Sequence, residues 1–480
     1  MRNRHSIAHA GLTLGRGPGN KVVLMRIVNP ATDEVLHEVV ADDAPTVAAK
    51  LAAARAAQPD WARTPFPQRQ AVLRRFRALV GDRIEPLART LTQEVGKPIG
   101  QSRRELTAVL DRIDFFAEHT GVVLEDEVVH REPGMEERIR REPLGVVANV
   151  SAWNYPWFVG ASVFVPALLT GNAVLYKPSE LATLTGLEIA ALLREAGLPE
   201  GVFTAVVGDG ATGRALVEQP VDGVFFTGSY ATGARIASVV APRMIRLQLE
   251  LGGKDPVYVC EDVDAAAVAA AVADGAFYNT GQSCCAVERV YVHRRVWKPF
   301  LDAFVATVRG FRVGDPLDEA TYIGPLARRA PQVAFLEDQV GDAVAKGARV
   351  LVGGGRIDRP GWFFAPTVLV DVDHGMQLMR EESFGPVIGL MPVGDDAEAL
   401  RLVRDTDYGL TASVYSADRA RAERLLADVG VGTAYWNCCD RVSPRLPWSG
   451  RGHSGVGATL ALEGIRAFLA PKAWHLRASA

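Results

Sequence analysis

The sequence predicts an α/β protein built from two doubly wound, Rossmann-like units, with a small β hairpin that serves oligomerisation. Three observations predict it. Between Gly145 and Val259 short apolar strands alternate with helices, the rhythm of a parallel sheet covered by helices. A second α/β stretch runs from Asp262 to about Ala434. A charged segment, Glu125 to Pro143, is centred on a Pro133-Gly134 turn signal and reads as two extended arms. At 480 residues the chain exceeds what one hydrophobic core supports, so two or three domains are expected.

The elements follow in order. Residues 1–20 are Gly-rich and without an apolar core, and read as a tail. From Asp43 to about His119 the pattern is helical, with Val72, Leu73, Phe76, Leu79 and Val80 on one face among arginines. The two arms form either an exposed loop or a hairpin; a lone hairpin is marginal in water, so its edges would add to another subunit's sheet. In the first unit the strands are Val146–Val150, Ala173–Tyr176, Phe203–Val207, Gly223–Phe226 and Ile245–Leu249, with helices Leu181–Ala196 and Gly213–Gln219 between them. In the second the helices are Ala265–Tyr278 and Lys298–Arg309 and the strands Val350–Val352 and Thr367–Leu369.

Composition narrows the function. Hydrophobic residues make up 48% and charged residues 23%, with a net charge of −3, which argues against nucleic-acid or acidic-membrane partners and for a small-molecule substrate. The longest apolar run, about thirteen residues from Phe158 to Thr170, is short of the roughly 20 that span a bilayer. The five cysteines, Cys260, Cys284, Cys285, Cys438 and Cys439, form neither a disulfide framework nor metal-ligand spacing. No metal is expected, and free thiols point to a cytoplasmic location.

Several segments can carry chemistry. The turn Gly281-Gln282-Ser283-Cys284-Cys285 follows an apolar helix; backbone N–H groups there would lower a thiol pKa or hold an oxyanion, whereas most single cysteines simply fill a core. Glu250 ends an apolar strand at Gly252-Gly253, as a half-buried general base or as an edge carboxylate paired with an arginine. Asn154, in Trp153-Asn154-Tyr155-Pro156, follows the strand Val146–Val150, where ligands of such sheets bind; an ordinary turn would look the same. Two phosphate-type loops compete: GDGATG (208–213) and GSYATG (228–233), each after a strand and before a helix. Lys177 and Glu180, at another strand end, are a ligand-facing pair or a solvated one.

Taken together, PLGVVANVSAWNYPW (143–157), GNAVLYKPSE (171–180), FTGSYATG (226–233), LELGGKDP (249–256), FYNTGQSCCA (277–286) and EESFGPV (381–387) resemble the aldehyde dehydrogenase superfamily in order and spacing. Glu250 and Cys284 stand 34 residues apart, as in that family, and the resemblance runs from about Val28 to Lys472. It implies that Cys284 is the nucleophile. The thiohemiacetal oxyanion would be held by Asn154 and the Cys284 N–H, hydride would pass to nicotinamide, and Glu250 would activate the water that hydrolyses the thioester. It implies cofactor contacts at Trp153, Lys177, Ser179, Glu180, Gly228, Ser229, Gly233, Glu382 and Phe384. Glu180, accepting from a ribose 2′-OH, favours NAD while leaving NADP possible.

The same resemblance divides the chain into a cofactor-binding domain (21–123 and 143–252), a catalytic domain (253–435), bridging segments for a homodimer or homotetramer (124–142 and 466–480) and a pocket loop returning to the first domain (436–465). The substrate pocket is expected to involve Tyr155, Trp157, Ser283, Cys285, Arg441, Arg445 and Trp448. Here the chain departs from the family's pattern, reading Pro447-Trp448-Ser449-Gly450-Arg451-Gly452-His453-Ser454-Gly455. Arginines at the tunnel mouth would select acidic semialdehydes; an aromatic lining would take apolar or cationic ones. Two other readings stand beside hydrolytic oxidation: a CoA-acylating dehydrogenase, and a non-catalytic cofactor-binding relative.

Overall fold

The computed structural model describes residues 23–478; the tail expected over residues 1–20 lies outside them. A strand pair, Leu24–Val28 and Val35–Val40, leads into four helices, Ala44–Arg63, Phe66–Asp82, Ile84–Val95 and Ile99–Leu124. The predicted helical stretch breaks where local chemistry demands it. Asp43 caps the first helix by accepting from the Thr46 N–H at 2.9 Å. Pro65 and Pro98 precede the second and fourth helices, and Gly96, at φ +85°, ends the third in the left-handed conformation.

The first sheet holds five parallel strands in the spatial order Arg246–Glu250, Gly223–Thr227, Val146–Val150, Ala173–Lys177, Phe203–Ala205. Gly455–Val456 closes one edge antiparallel to Arg246–Glu250. Chain order reverses between Val146–Val150 and Gly223–Thr227, which makes a topological switch point there. Predicted strand bounds shift by one or two residues. The helix expected over Gly213–Gln219 is Gly210–Val217, because Asp209 caps it through the Ala211 N–H.

The second sheet orders Arg349–Val352, Thr367–Val370, Val387–Val393, Val287–His293, Asp255–Val259, Thr411–Tyr415 and Thr433–Trp436; all pairings are parallel except the first. It therefore begins before Asp262. The apolar run Asp255–Val259 follows the Gly252-Gly253 break so closely that pattern alone assigned it to the first unit, yet it is a central strand of the second. Among the described residues no helix is long and apolar enough to cross a membrane.

The two charged arms are strands Glu127–Glu132 and Met135–Pro143, but they do not stand alone. Leu469–Arg477 pairs with Met135–Pro143 along its whole length and makes a three-stranded sheet within the chain. The arms thus add first to a strand of their own chain, from the segment 466–480, and not only to another subunit's sheet. Arg140 with Asp126, Lys472 with Glu142, and Trp474 beneath Arg138 and Arg140 tie the strands together. The partner strand lies more than 300 residues away in sequence, beyond the reach of any local pattern.

Candidate active site

At the switch point the chain leaves Val146–Val150 through Ser151–Asn154 and leaves Gly223–Thr227 through Gly228-Ser229. The neighbouring strands end on Glu250 and Lys177. The carboxyl edge of the first sheet thus presents an amide, a carboxylate, a cation and a helix start.

The thiols arrive from the other unit. Helix Ala265–Phe277 ends in a run of left-handed residues, Asn279 (φ +53°), Thr280 (φ +61°) and Gly281 (φ +68°). The two non-glycine positions cost about 1–3 kcal/mol each. They are held by bonds from every side: the Asn279 N–H donates to Gln101 Oε1 at 2.9 Å, the Gly324 N–H to Thr280 Oγ1 at 3.0 Å, and the Ala327 N–H to Gln282 Oε1 at 3.0 Å. This turn meets Asn154 directly. Asn154 Nδ2 donates to the Gln282 carbonyl at 3.1 Å, and Asn279 Nδ2 donates to the Asn154 carbonyl at 3.2 Å. One amide hydrogen of Asn154 is used in that bond; the other remains for a second acceptor.

Cys284 is half-buried beside this tie, and Cys285 is only 4% exposed. A hydrogen bond with Cys284, together with burial, pushes the Cys285 thiol well above its ordinary value. Cys285 Sγ donates to Asp440 Oδ1 at 3.0 Å, and Ser283 Oγ lies 3.5 Å from the same sulfur. Burial raises Asp440 to about 7. The geometry thereby separates the vicinal thiols: Cys285 is engaged as a donor in the interior, and Cys284 is the one open to a ligand. Gly253 permits the close approach, since a side-chain carbon there would stand 2.7 Å from the Cys284 carbonyl oxygen.

Glu250, 8% exposed, accepts a hydrogen bond from the Thr459 hydroxyl. Burial pushes its carboxyl up to about 7, while Thr459 and the buried Arg112 charge oppose the rise. Thr459 is in turn fixed by Trp448 through reciprocal backbone bonds of 2.7 and 2.9 Å.

Glu382 and Phe384 stand on the far side of Gly252-Gly253. Glu382 Oε1 accepts from the Gly253 N–H at 2.9 Å, and its carboxylate occupies the space that a side chain at Gly252 would fill. Burial raises Glu382 to about 8. Phe384 adopts φ +49° and meets Trp153 edge to face, with centroids 5.5 Å apart. Lys177 is 4% exposed, so it is not a solvated cation; its Nζ donates to the Pro178 carbonyl at 3.0 Å and lies 3.6 Å from the exposed Glu180 carboxylate. Ser179 Oγ accepts from the Leu181 N–H at 3.3 Å. Of the two glycine loops, residues 208–213 serve a helix already capped by Asp209, beyond the edge strand Phe203–Ala205. Gly228 and Ser229 lie at the switch point; the Ser229 side chain does not cap helix Tyr230–Val240, and Gly233 packs on Leu251. A helix start with free N–H groups, a buried lysine and a desolvated carboxylate on one sheet edge form a donor and acceptor set that fits a dinucleotide.

The pocket residues fare unevenly. Tyr155 lies near the thiols, with Lys97 Nζ 3.7 Å from its ring centroid and its phenol raised by burial and by Asp440. Trp157 is fully buried in the first turn of helix Pro156–Leu169 and does not line a pocket; it follows directly on the loop that made it look exposed. Trp448 is also buried, acting through Thr459. Arg441 and Arg445 are exposed, and Arg441 Nη1 donates only to the carbonyl of Asp440. Four groups escaped the sequence reading: Asp440, Thr459, Arg112 and the buried Lys97–Glu105 pair, whose Glu105 Oε1 caps helix Pro156–Leu169 at the Trp157 N–H, 3.0 Å away. Asp440 was visible beside the Cys438-Cys439 pair; the others had no local signal.

Comparison with known proteins converges with this geometry. The model of the aldehyde dehydrogenase family matches residues 19–474. The chain is 36% identical over 435 residues to betaine aldehyde dehydrogenase 1 of Rhizobium meliloti (strain 1021), covering 90% of this chain and 89% of the relative. The structure superposes on lactaldehyde dehydrogenase from Escherichia coli with a TM-score of 0.92 and 32% identity, covering 96% and 97% of the two chains. An indole-3-acetaldehyde dehydrogenase structure complexed with NAD+ gives 0.92 and 31%, covering 95% and 93%. The chain therefore belongs to the aldehyde dehydrogenase family and is an aldehyde-oxidising oxidoreductase.

Proposed function

We propose that the enzyme oxidises an aldehyde to its acid through Cys284, and that the carrying observation is the Asn154–Gln282 tie beside a half-buried thiol. The Cys284 thiolate forms a C–S bond to the carbonyl carbon, whose oxygen takes up the displaced electron pair. That oxyanion is held by the free Asn154 amide hydrogen and the Cys284 N–H. NAD, when bound, would supply the hydride acceptor; as the oxyanion re-forms the carbonyl the C–H bond breaks with its electron pair, and the carbon is left as a Cys284 thioester. Glu250 removes a proton from water, the resulting hydroxide attacks the thioester, and the C–S bond breaks to return the thiolate and release the acid. Its elevated pKa, about 7, matches a base that works near neutrality. Lys177, Ser179 and Glu180 would hold the adenosine ribose, Gly228, Ser229 and Gly233 the diphosphate, and Glu382, Phe384 and Trp153 the nicotinamide end. The Glu180 carboxylate disfavours a 2′-phosphate, so NAD is preferred and NADP tolerated. Residues 21–123 and 143–252 form the cofactor domain and 253–435 the catalytic domain, in a cytoplasmic homodimer or homotetramer joined through the open edges of the three-stranded sheet.

On substrate, Asp440 outweighs the exposed arginines: a carboxylate beside the thiols repels an acidic semialdehyde and favours aldehydes bearing hydroxyl or ammonium groups. An aldehyde panel with NAD and NADP tests both readings. NADH formation is expected, with kcat/KM higher for amino- and hydroxyaldehydes than for acidic semialdehydes; the reverse ranking would overturn the substrate class, and silence across the panel would remove the oxidation itself. Added coenzyme A should leave turnover unchanged, and acyl-CoA product would point to the acylating branch.

Cys284→Ala should abolish oxidation with cofactor binding retained, while Cys285→Ala keeps most activity; the opposite pattern would exchange their roles. Glu250→Gln should leave a burst of NADH followed by slow turnover. Because the base acts deprotonated, steady-state turnover in the parent should fall as pH drops below about 7, with Arg112, Thr227, Gln248 and Thr459 as the charged and polar neighbours setting the midpoint. A flat profile from pH 6 to 8 (roughly one unit either side of that value) would count against Glu250. Light scattering on the full chain should return a multimer mass; the mass of one chain would contradict the assembly.

A further inference from the structure

Behind Glu382 and Phe384 lies a buried ion pair that the reaction above does not use. Glu288, on strand Val287–His293, is 3% exposed, and Lys254, in the link between the two sheets, is 1% exposed. Lys254 Nζ stands 2.6 Å from Glu288 Oε2. The remaining acceptor capacity of Glu288 goes to one short segment. The Ser383 N–H reaches both carboxylate oxygens, at 3.1 and 3.0 Å, and the Phe384 N–H reaches Oε1 at 3.1 Å. Lys254 Nζ also donates to Ser383 Oγ at 3.2 Å. From the opposite side Gln332 Nε2 donates to the Ser383 carbonyl at 2.7 Å.

Two features separate this arrangement from ordinary structural capping. First, Phe384 is held at φ +49°, a conformation that costs about 1–3 kcal/mol for a non-glycine residue and persists only where the surroundings impose it. Second, strand Val287–His293 is laddered on both sides from Arg289 to Val292, with Glu288 standing at a register shift just before that stretch; the paired residues fix the strand without a buried charge, and a buried ion pair adds little net stability over apolar residues of similar size. What the carboxylate does supply is three hydrogen bonds to consecutive backbone N–H groups, an arrangement no apolar side chain can reproduce.

We propose that Glu288 is a positioning residue for the nicotinamide end of the cofactor site. With Lys254 as its counter-ion, it fixes the backbone of Ser383 and Phe384, and so aims the Glu382 carboxylate and the Phe384 ring. It touches neither substrate, thiol nor base. The inference rests on the reading of Glu382 and Phe384 as cofactor contacts.

The test is Glu288→Gln in the full chain, which keeps the volume but turns an amide NH2 towards backbone donors and strips Lys254 of its counter-charge. Should that variant not fold, the double substitution Lys254→Met with Glu288→Leu removes both charges together and leaves the backbone donors without acceptors. Calorimetric titration with NAD should show affinity weakened about tenfold or more, the size of losing a charge-assisted hydrogen bond. kcat/KM for NAD should fall further than kcat at saturating NAD. NAD-independent hydrolysis of p-nitrophenyl acetate, which calls on Cys284, Asn154 and Glu250 but not on the cofactor site, should stay within about twofold of the parent, the range of a change remote from a site. Unchanged NAD affinity in a folded variant overturns the proposal, as does a parallel loss of ester hydrolysis. Because the NAD titration is run on parent and variant alike, a parent that binds NAD yet oxidises no aldehyde would count against the proposed reaction and leave the Glu288 result readable on its own.

Discussion

The site depends on one constraint: a left-handed turn at Asn279–Gly281 that is bonded to Asn154 in the other unit. A right-handed continuation of helix Ala265–Phe277 would carry Cys284 away from the first sheet. The turn reverses the chain instead, and the cost of two non-glycine residues at positive φ is offset by Gln101, Gly324 and Ala327 gripping it from two separate segments. The thiol is thus placed by its approach rather than by its own contacts. Asn154 is oriented by the same bonds that fix the turn, so electrophile holder and nucleophile cannot drift independently.

The two sheets use opposite ends for this purpose. The first contributes residues from the carboxyl ends of its strands, where open α/β sheets ordinarily bind ligands. The second contributes from the amino end, because the thiol turn precedes strand Val287–His293 and the Gly252-Gly253 link enters strand Asp255–Val259. Between them lie several carboxyls driven upward by burial: Glu250 and Asp440 to about 7, Asp255 and Glu382 to about 8. Such desolvated acids cost stability when charged. Burial raises Glu94 and Glu188 among the helices as well, so it is the clustering of four such acids here that marks the interface between the units as the chemically active zone.

Much of this was legible in the chain before any coordinates. Strands with a buried parallel environment read as continuous apolar runs, which is why Val146–Val150 and Gly223–Thr227 were placed almost to the residue. Cys284, Asn154 and Glu250 were nominated by local context and by motif register, and the structure brings Asn154 against the thiol turn and leaves Glu250 buried at its strand end. What escaped were relations across long separations. Thr459 sits on Glu250 from 209 residues away, and Leu469–Arg477 completes the sheet of the charged arms. Trp157 was misread because a loop and the first turn of a helix look alike in a short motif, and the burial of Lys177 removes the solvated alternative left open at its strand end. Of the competing glycine loops, motif register selected 228–233, and strand order and the Asp209 cap place 208–213 beyond the edge strand.

The return of Gly455–Val456 to the edge of Arg246–Glu250 has a consequence for biosynthesis. A ribosome makes chains from the N-terminus at roughly 5–20 residues per second, so about 10 to 40 seconds separate Glu250 from the strand that covers it. Throughout that interval the first unit has a bare sheet edge, and Glu250 lacks its Thr459 hydroxyl. The nascent protein is then both adhesive and chemically incomplete, with its base assembled only once Thr459 has emerged. Maturation of activity in this sense waits on a distant segment, and a chain arrested before that point would expose an edge strand instead of a working enzyme.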